Sequence, residues 1–117
     1  MVKTNPRLVK LVQDLKTKSR KEKVAIWRDV AKRLERSTRD YSEINVGQIN
    51  QHALENETVL VPGKVLGSGV LDHPLAIVAL DFSLSARDKI TKIKGKCITI
   101  EQLMDENPSG KGVRIIQ

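Results

Sequence analysis

The chain has 117 residues, enough for one domain with a single core, and its aromatic residues are only Trp27, Tyr41 and Phe82. Aliphatic side chains must therefore supply most of the core. One cysteine cannot form an internal disulfide, so a reducing, intracellular setting is expected. The N-terminus lacks the apolar segment of a signal peptide, and no stretch approaches the roughly twenty apolar residues of a membrane helix. These features predict a soluble, cytoplasmic protein without a membrane partner.

The net charge of +7 is distributed unevenly along the chain. Residues 1–39 carry 13 Lys and Arg against 4 Asp and Glu, a net charge of +9, whereas residues 40–117 carry 8 against 10, a net charge of −2. A basic field confined to the first third predicts a polyanionic partner bound mainly by that segment. Nucleic acid is favoured over a membrane surface because the segment lacks a strong apolar face with exposed aromatics.

Two helices are predicted in the basic segment. Asn5 and Pro6 have the residue types of an N-cap and a first helical position, and apolar residues then recur at helical spacing to a predicted end near Thr17. After a basic connector at residues 16–21, a second helix is predicted, with Ser19 and Glu22 as its capping box.

Cations recur at regular spacing around the second predicted helix. Arg28, Lys32 and Arg36 follow one another at four-residue intervals, and Lys21 lies one heptad before Arg28, which predicts one shared basic face. Acidic partners at i+4 are missing from this row, and the resulting repulsion is tolerable if phosphates lie opposite. An ordinary solvated helix surface is the alternative. The predicted anion-binding cations of the segment are Arg7, Lys10, Lys16, Lys18, Arg20, Lys21, Arg28, Lys32 and Arg36.

After Arg39 the sequence predicts short alternating strands and helices. The apolar run at residues 75–80 predicts a strand buried on both faces. Two short strand pieces are predicted on either side of Pro62-Gly63, a turn dipeptide. Cap and strand patterns add an extended segment at 43–46, helices at 48–54, from Ser85 and at 99–104, and strands at 97–100 and 113–116.

Together these elements predict an α/β fold, a compact single domain of short irregular ββα units with a basic two-helix N-terminal segment. Residues 1–39 are predicted to form the basic helical segment, and residues 40–117 the α/β body of one domain spanning 1–117.

The glycine-rich loop of the body does not fit the known phosphate-binding patterns. In a P-loop the lysine follows the last glycine, but here Lys64 follows Gly63. The dinucleotide fingerprint needs a third glycine where Asp72 stands, and the KH-type clamp is also missing. Tight turns between strands and a phosphodiester contact at Lys64 are both consistent with the sequence.

The sequence contains no catalytic, metal-binding or cofactor-binding constellation. His52 and His73 belong to no cluster at metal-ligand spacing, and Cys97 lies in an alternating run typical of a buried core thiol. Asp72 and Asp81 are interpreted as acceptors in a turn and at a strand end. With three aromatics in all, a base-stacking platform is disfavoured, so recognition through phosphates, sugars and the shape of folded RNA is expected.

Several short segments resemble a known family. They are residues 5–6, 27–28, 43–45, the stretch VPGKVLGSG at 61–69, and residues 82–83, 86 and 89–90. Over essentially its whole length the chain is similar to archaeal members of the large-subunit ribosomal protein family called "eighteen-e", which is related to the bacterial fifteen protein.

The resemblance implies a structural ribosomal protein without enzymatic activity, bound to large-subunit rRNA on cytoplasmic ribosomes and in contact with neighbouring ribosomal proteins. It implies no cofactor, catalytic residue or small-molecule substrate, and it raises Lys64 as an RNA contact. Two other classes stay open from the residues alone. One is an enzyme that binds a phosphorylated metabolite or nucleotide through the glycine loop, and the other is a protein interaction module that uses apolar edge strands.

Overall fold

The computed structural model describes residues 6–36 and 42–116. The predicted N-cap at Asn5 and the predicted boundary at residues 39 and 40 lie outside these ranges. The described elements, in chain order, are α1 (Pro6–Glu22), α2 (Ala25–Arg36), β1 (Ser42–Asn45), α3 (Val46–His52), β2 (Thr58–Leu66), β3 (Ala76–Phe82), α4 (Leu84–Lys92), β4 (Lys96–Thr99), α5 (Ile100–Glu106) and β5 (Val113–Ile115).

The strands form one sheet in which every pairing is parallel. The order is β1-β2-β3-β4, and β5 also pairs with β2. Strand β3 follows one edge of β2, so β1 and β5 share the other edge, β1 along the second half of β2 and β5 along the first. The predicted buried strand is confirmed as β3, where Ile77, Val78 and Ala79 are fully buried.

Helices cover both faces of this sheet, and each face has its own core. On one face Val59, Val61 and Ile77 pack with residues of α3 and α4. On the other face Leu60 and Val78 pack with residues of α1, α2 and α5. The predicted α/β class is confirmed, and the two basic helices form part of a layer packed on the body.

Trp27 joins the helix pair to the end of the body. Its side chain is fully buried, and its indole Nε1 donates a hydrogen bond to the Pro108 carbonyl at 2.7 Å, in the loop after α5. A large aromatic side chain buries much apolar area, and satisfying its one polar group removes the main cost of that burial. The position of α2 on the sheet is therefore well determined.

The predicted break between the first two helices is wrong. Helix α1 continues through Ser19 to Glu22, because residues 16–22 contain no helix breaker. It ends at Glu22, because the next residue, Lys23, has a left-handed φ of 58°. The Ser19 hydroxyl donates to the Val24 carbonyl instead of capping a new helix. Lys21 therefore lies on α1 and shares no helix face with Arg28.

The predicted turn at Pro62-Gly63 is also wrong, because both residues lie inside the single strand β2. The register with β3 shifts between Val61 and Lys64, so Pro62 and Gly63 form a bulge. Proline cannot donate a ladder hydrogen bond and is tolerated at such a bulge. Pairing along both edges of β2 overrides the local turn preference.

Helix α4 starts earlier than the predicted box at Ser85, since the Ser83 hydroxyl accepts from the Ala86 amide at 3.1 Å. The predicted cap of α5 is confirmed. Thr99 Oγ1 accepts from the Gln102 amide at 3.1 Å, and Gln102 Oε1 accepts from the Thr99 amide at 3.0 Å. The other predicted helices and strands are present, with ends within two residues of those expected.

Two glycines with positive φ provide a matched test of the loop after β2. A Cβ at Gly69 would lie 2.7 Å from the Gly47 Cα, whereas a Cβ at Gly112 would meet nothing within 4 Å. Both alanine variants lose about 1 kcal/mol of unfolding free energy through backbone strain. Gly69→Ala is expected to lose about 1–3 kcal/mol more, because the loop must move away from α3. Chemical denaturation measures both, and equal losses would contradict the close approach.

Candidate nucleic-acid interface

Helices α1 and α2 enclose a cleft of about 520 Å³ that is lined mainly by basic side chains. Its lining residues recur at helical spacing on one side of each helix and in the turn between them, and they are Lys16, Ser19, Arg20, Lys23, Arg28, Lys32 and Glu35. We call this surface the α1–α2 cleft.

The apolar stripes of the two helices determine where these charges lie. Leu11 and Leu15 of α1 are buried against the sheet side, as are Val30, Ala31 and Leu34 of α2. Because an amphipathic helix buries one stripe, its cations must occupy the remaining surface. The short turn between the helices then brings the cations of both into one cleft.

Most positive charge in the α1–α2 cleft has no acidic partner. Glu35 is the acid in the lining, and Lys16 Nζ pairs with it at 3.1 Å. Four other cations are exposed and form no ion pair with any residue of 6–36 or 42–116, and they are Arg20, Lys23, Arg28 and Lys32. The cleft is therefore suited to an anionic ligand with several negative charges.

The structure brings four predicted cations together here, and they are Lys16, Arg20, Arg28 and Lys32. Lys23 also lines the cleft but is absent from the predicted set. The helical spacing of Lys23 from Lys16 and Arg20 could have predicted its place in the lining. The expected helix break near Thr17 separated these residues and so hid that spacing. Lys18 and Lys21 lie on α1 outside the lining, and the side chain of Arg36 lies outside the described residues.

Arg7 and Lys10 are already engaged by carboxylates. Arg7 donates through Nε and Nη2 to the two oxygens of Glu101, at 2.9 and 3.1 Å, and through Nη2 to the Leu80 carbonyl at 2.8 Å. Burial is the largest single effect on Glu101 and opposes its ionisation, but the hydrogen bond from Arg7, a backbone hydrogen bond and the positive charge of Arg7 together outweigh it, so the pKa of Glu101 is lowered. Lys10 pairs with Asp14 at 2.8 Å, and that hydrogen bond raises the pKa of Lys10. Arg7 thus fastens the start of α1 to α5.

Lys64 lies in the sheet, away from the α1–α2 cleft lining. Its register partners are Glu43 on β1 and Asp81 on β3, so acidic residues flank it on both neighbouring strands. Cross-strand neighbours of opposite charge stabilise a sheet, which gives Lys64 a structural explanation. A contact between Lys64 and RNA stays a prediction.

Residues of α3 and α4 pack against the glycine loop and form hydrogen bonds with it. The Gly47 amide donates to the Ser68 carbonyl at 3.0 Å, and Lys89 Nζ donates to the Gly69 carbonyl at 2.7 Å. These contacts hold the loop against α3 and α4. They favour tight packing over an open cradle for phosphate.

His73, Asp72 and Asp81 of the body have hydrogen-bonding partners within the protein. His73 lies 2.9 Å through Nδ1 from Asp72 Oδ1 and 2.8 Å through Nε2 from the Ala53 carbonyl. The hydrogen bond with Asp72 raises the pKa of His73 and lowers that of Asp72. Asp81 Oδ1 accepts from the Phe82 amide at 2.9 Å, and burial raises the pKa of the Cys97 thiol, which packs against the core. Residues 6–36 and 42–116 hold no group of three acidic, His or Cys side chains placed to bind a metal.

Two further observations bear on the ligand. The Trp27 and Phe82 rings are buried, so the described part of the chain exposes no aromatic side chain for base stacking. Among the described helices, none is long and apolar enough to cross a lipid bilayer. The available contacts are therefore those of charge and hydrogen bonding.

Because Arg7 links α1 to α5, the Arg7→Gln variant is expected to be less stable than the wild type. Breaking the paired hydrogen bonds to Glu101 should lower the free energy of unfolding by about 1 kcal/mol, because the pair is partly exposed. A double-mutant cycle with Glu101→Gln, measured by chemical denaturation, should show the coupling. Lys10→Gln, which removes an exposed pair within α1, is the control with a smaller expected loss, and a zero coupling energy would contradict the link.

His73 predicts a pH-dependent stability. Its pKa is raised in the folded state, so its contribution is complete below the unfolded value near 6.5 and is lost as pH rises through the folded value. The free energy of unfolding should therefore fall as pH rises above about 6.5. His73→Asn should remove this part of the pH dependence in denaturation measured across that range. His52→Asn, at an exposed position, should retain it, and equal profiles for the two variants would contradict the assignment.

Comparisons with known proteins identify the family of the chain. A family described as ribosomal protein 60S L18 and 50S L18e matches residues 2–117. The chain is 54% identical over 117 residues to the large ribosomal subunit protein eL18 of Methanothermobacter thermautotrophicus, covering all of this chain and 97% of that protein. It is 49% identical to the protein of the same name from Haloarcula marismortui over the full length of both. The resemblance found in the sequence is confirmed, and the chain belongs to the family of ribosomal proteins 60S L18 and 50S L18e.

Proposed function

We propose that this protein is a structural constituent of the large ribosomal subunit and docks on folded rRNA through the α1–α2 cleft. Its relatives over the full length are named large ribosomal subunit proteins, and the family is one of ribosomal proteins, not of enzymes. Its location is accordingly the cytoplasmic ribosome. Residues 1–117 act as one ribosomal-protein domain, and neighbouring ribosomal proteins are its other partners.

The observation that supports docking is the group of four cations without acidic partners in the α1–α2 cleft. A protein that replaces the counterions of RNA phosphates with lysine and arginine gains affinity from their release. Such contacts fix the position and orientation of the protein without reading bases. The buried aromatic rings are consistent with recognition through phosphates and shape.

The remaining predicted cations have weaker support. These cations have an acidic or structural partner or lie outside the cleft lining, and their contacts with RNA stay predictions. They are Arg7, Lys10, Lys16, Lys18, Lys21, Arg36 and Lys64. A nucleotide-binding enzyme is not retained as a candidate, because the glycine loop is packed against α3 and α4. The family also consists of ribosomal proteins.

Sedimentation of source-cell lysate on a gradient, followed by a high-salt wash, tests the proposed function directly. The protein should migrate with the large subunit and stay with it through the wash. Recovery of the protein at the top of the gradient would contradict its role as a constituent.

Neutralising the α1–α2 cleft tests the docking surface. The triple variant Arg20→Gln, Arg28→Gln and Lys32→Gln should bind large-subunit rRNA more weakly, with a slope of log affinity against log salt that is shallower by about 2–3. The cause is the loss of three counterion-releasing contacts. Filter binding at several salt concentrations measures the slope, and circular dichroism checks that the variant is folded.

A single-charge comparison controls for net charge. Arg28→Gln and Lys111→Gln each remove one positive charge, but Lys111 is an exposed residue in the turn before β5. Only Arg28→Gln should reduce the salt slope. An unchanged slope in the triple variant, or equal changes in the two single variants, would contradict docking through the cleft.

A further inference from the structure

A second concentration of positive charge lies in the body of the protein. Residues 87–96 contain five basic residues and one acidic residue, whereas the rest of 40–117 contains three basic and nine acidic residues. The small net charge of the body therefore conceals a strongly basic segment. This segment covers most of α4, the turn after it and the first residue of β4.

Three lysines of this segment surround the end of α4. Lys94 and Lys96 line a cleft of about 260 Å³ at the amino-terminal ends of the strands, together with Asn56, Thr58 and Ala76. Lys92 is exposed in the last turn of α4. We call Lys92, Lys94 and Lys96 the α4–β4 lysines.

The α4–β4 lysines are exposed and have no partner for their charge in the described part of the chain. Other cations nearby do have structural roles. Arg87 lies over the Phe82 ring at 5.3 Å, and Lys89 donates to the Gly69 carbonyl. Glu57, close in sequence to the cleft residue Asn56, is held by Arg114 at 3.4 Å.

The backbone at Lys94 does not explain why a lysine stands there. Its φ of 65° is left-handed, a conformation that glycine or asparagine adopts more readily. Backbone hydrogen bonds fix the turn. The Lys94 amide donates to the Thr91 carbonyl at 2.9 Å, and the Lys96 amide donates to the Leu75 carbonyl at 3.0 Å. The fold would accept glycine at this position, so the side chain of Lys94 needs another explanation.

We propose that the α4–β4 lysines form a second surface for RNA phosphates, separate from the α1–α2 cleft. The two surfaces share no residue, and α4 packs on the face of the sheet opposite to α1 and α2. The inference rests on the proposed function and adds that rRNA contacts the protein from two layers of the fold. Lysine ammonium groups bind phosphates as point charges, and such contacts position a protein on RNA without reading its bases. The protein then holds two segments of rRNA in a fixed arrangement.

The Lys94→Gly variant distinguishes a binding role from a structural role, because the two roles predict changes of opposite sign in the unfolding temperature. The variant relieves a strained backbone and should unfold at the same temperature as the wild type or a few degrees higher. It should nevertheless bind large-subunit rRNA with a salt slope shallower by about 1. A variant with unchanged stability and an unchanged slope would overturn a phosphate contact at Lys94.

The complete surface is tested with Lys92→Gln, Lys94→Gln and Lys96→Gln together. The salt slope for large-subunit rRNA should become shallower by about 2–3, and hydroxyl-radical footprinting should lose one set of protected nucleotides while the set lost in the α1–α2 cleft variant remains. The matched variant with arginine at all three positions keeps the charge and should retain both the slope and the footprint. Lys111→Gln should leave both unchanged.

The outcomes separate this inference from the proposed function. If the cleft variant reduces the slope and the glutamine variant of the α4–β4 lysines does not, the second surface is wrong and the docking cleft stands. If both variants remove the same protected nucleotides, the two surfaces are not separate and the inference is overturned. Wild-type protein that binds rRNA without salt dependence would overturn both proposals.

Discussion

The structure depends on one constraint, which is that a sheet of parallel strands must be covered on both faces. Strands β2 and β3 bury side chains on either side, so each face needs helices that present an apolar stripe. The basic N-terminal helices meet this need on one face, with Trp27 joined to Pro108 as their anchor. Their remaining surfaces are free to carry charge. The α1–α2 cleft is therefore a consequence of how the core is closed.

Much of the fold follows from patterns that act over a few residues. The buried run at 75–80 and the capping box of α5 at Thr99 and Gln102 appear in the structure as predicted. The errors arise where a local preference competes with a more distant contact. Pro62 and Gly63 favour a turn but are held in a strand by pairing on both edges. At Ser19, a plausible cap is overridden because nothing in the sequence stops α1 before Lys23.

The sequence predicted the basic character of the candidate site, but it did not predict which cations form it. Charge counting located the basic segment, yet Arg7 and Arg28 look alike in sequence and differ in the fold. Glu101, distant in the chain, binds Arg7, whereas Arg28 faces the cleft without an acidic partner. Lys94 was missed for a related reason. Its charge is offset by the acidic residues when the charges of the whole body are summed, and the basic character of the segment around α4 appears only when that segment is counted by itself. Partners, not residue types, decide which cations are free to bind.

The arrangement of the sheet edges has a consequence for the protein before it joins a subunit. One outer edge is β4, with four residues, and the other consists of β1 and β5, with four and three residues, placed along different halves of β2. A long unpaired strand edge is a template for pairing with another copy of the chain. Here each exposed edge is short, and β4 begins with the exposed Lys96. Within residues 42–116 the edge strands therefore offer only a short template for pairing between free copies of the chain.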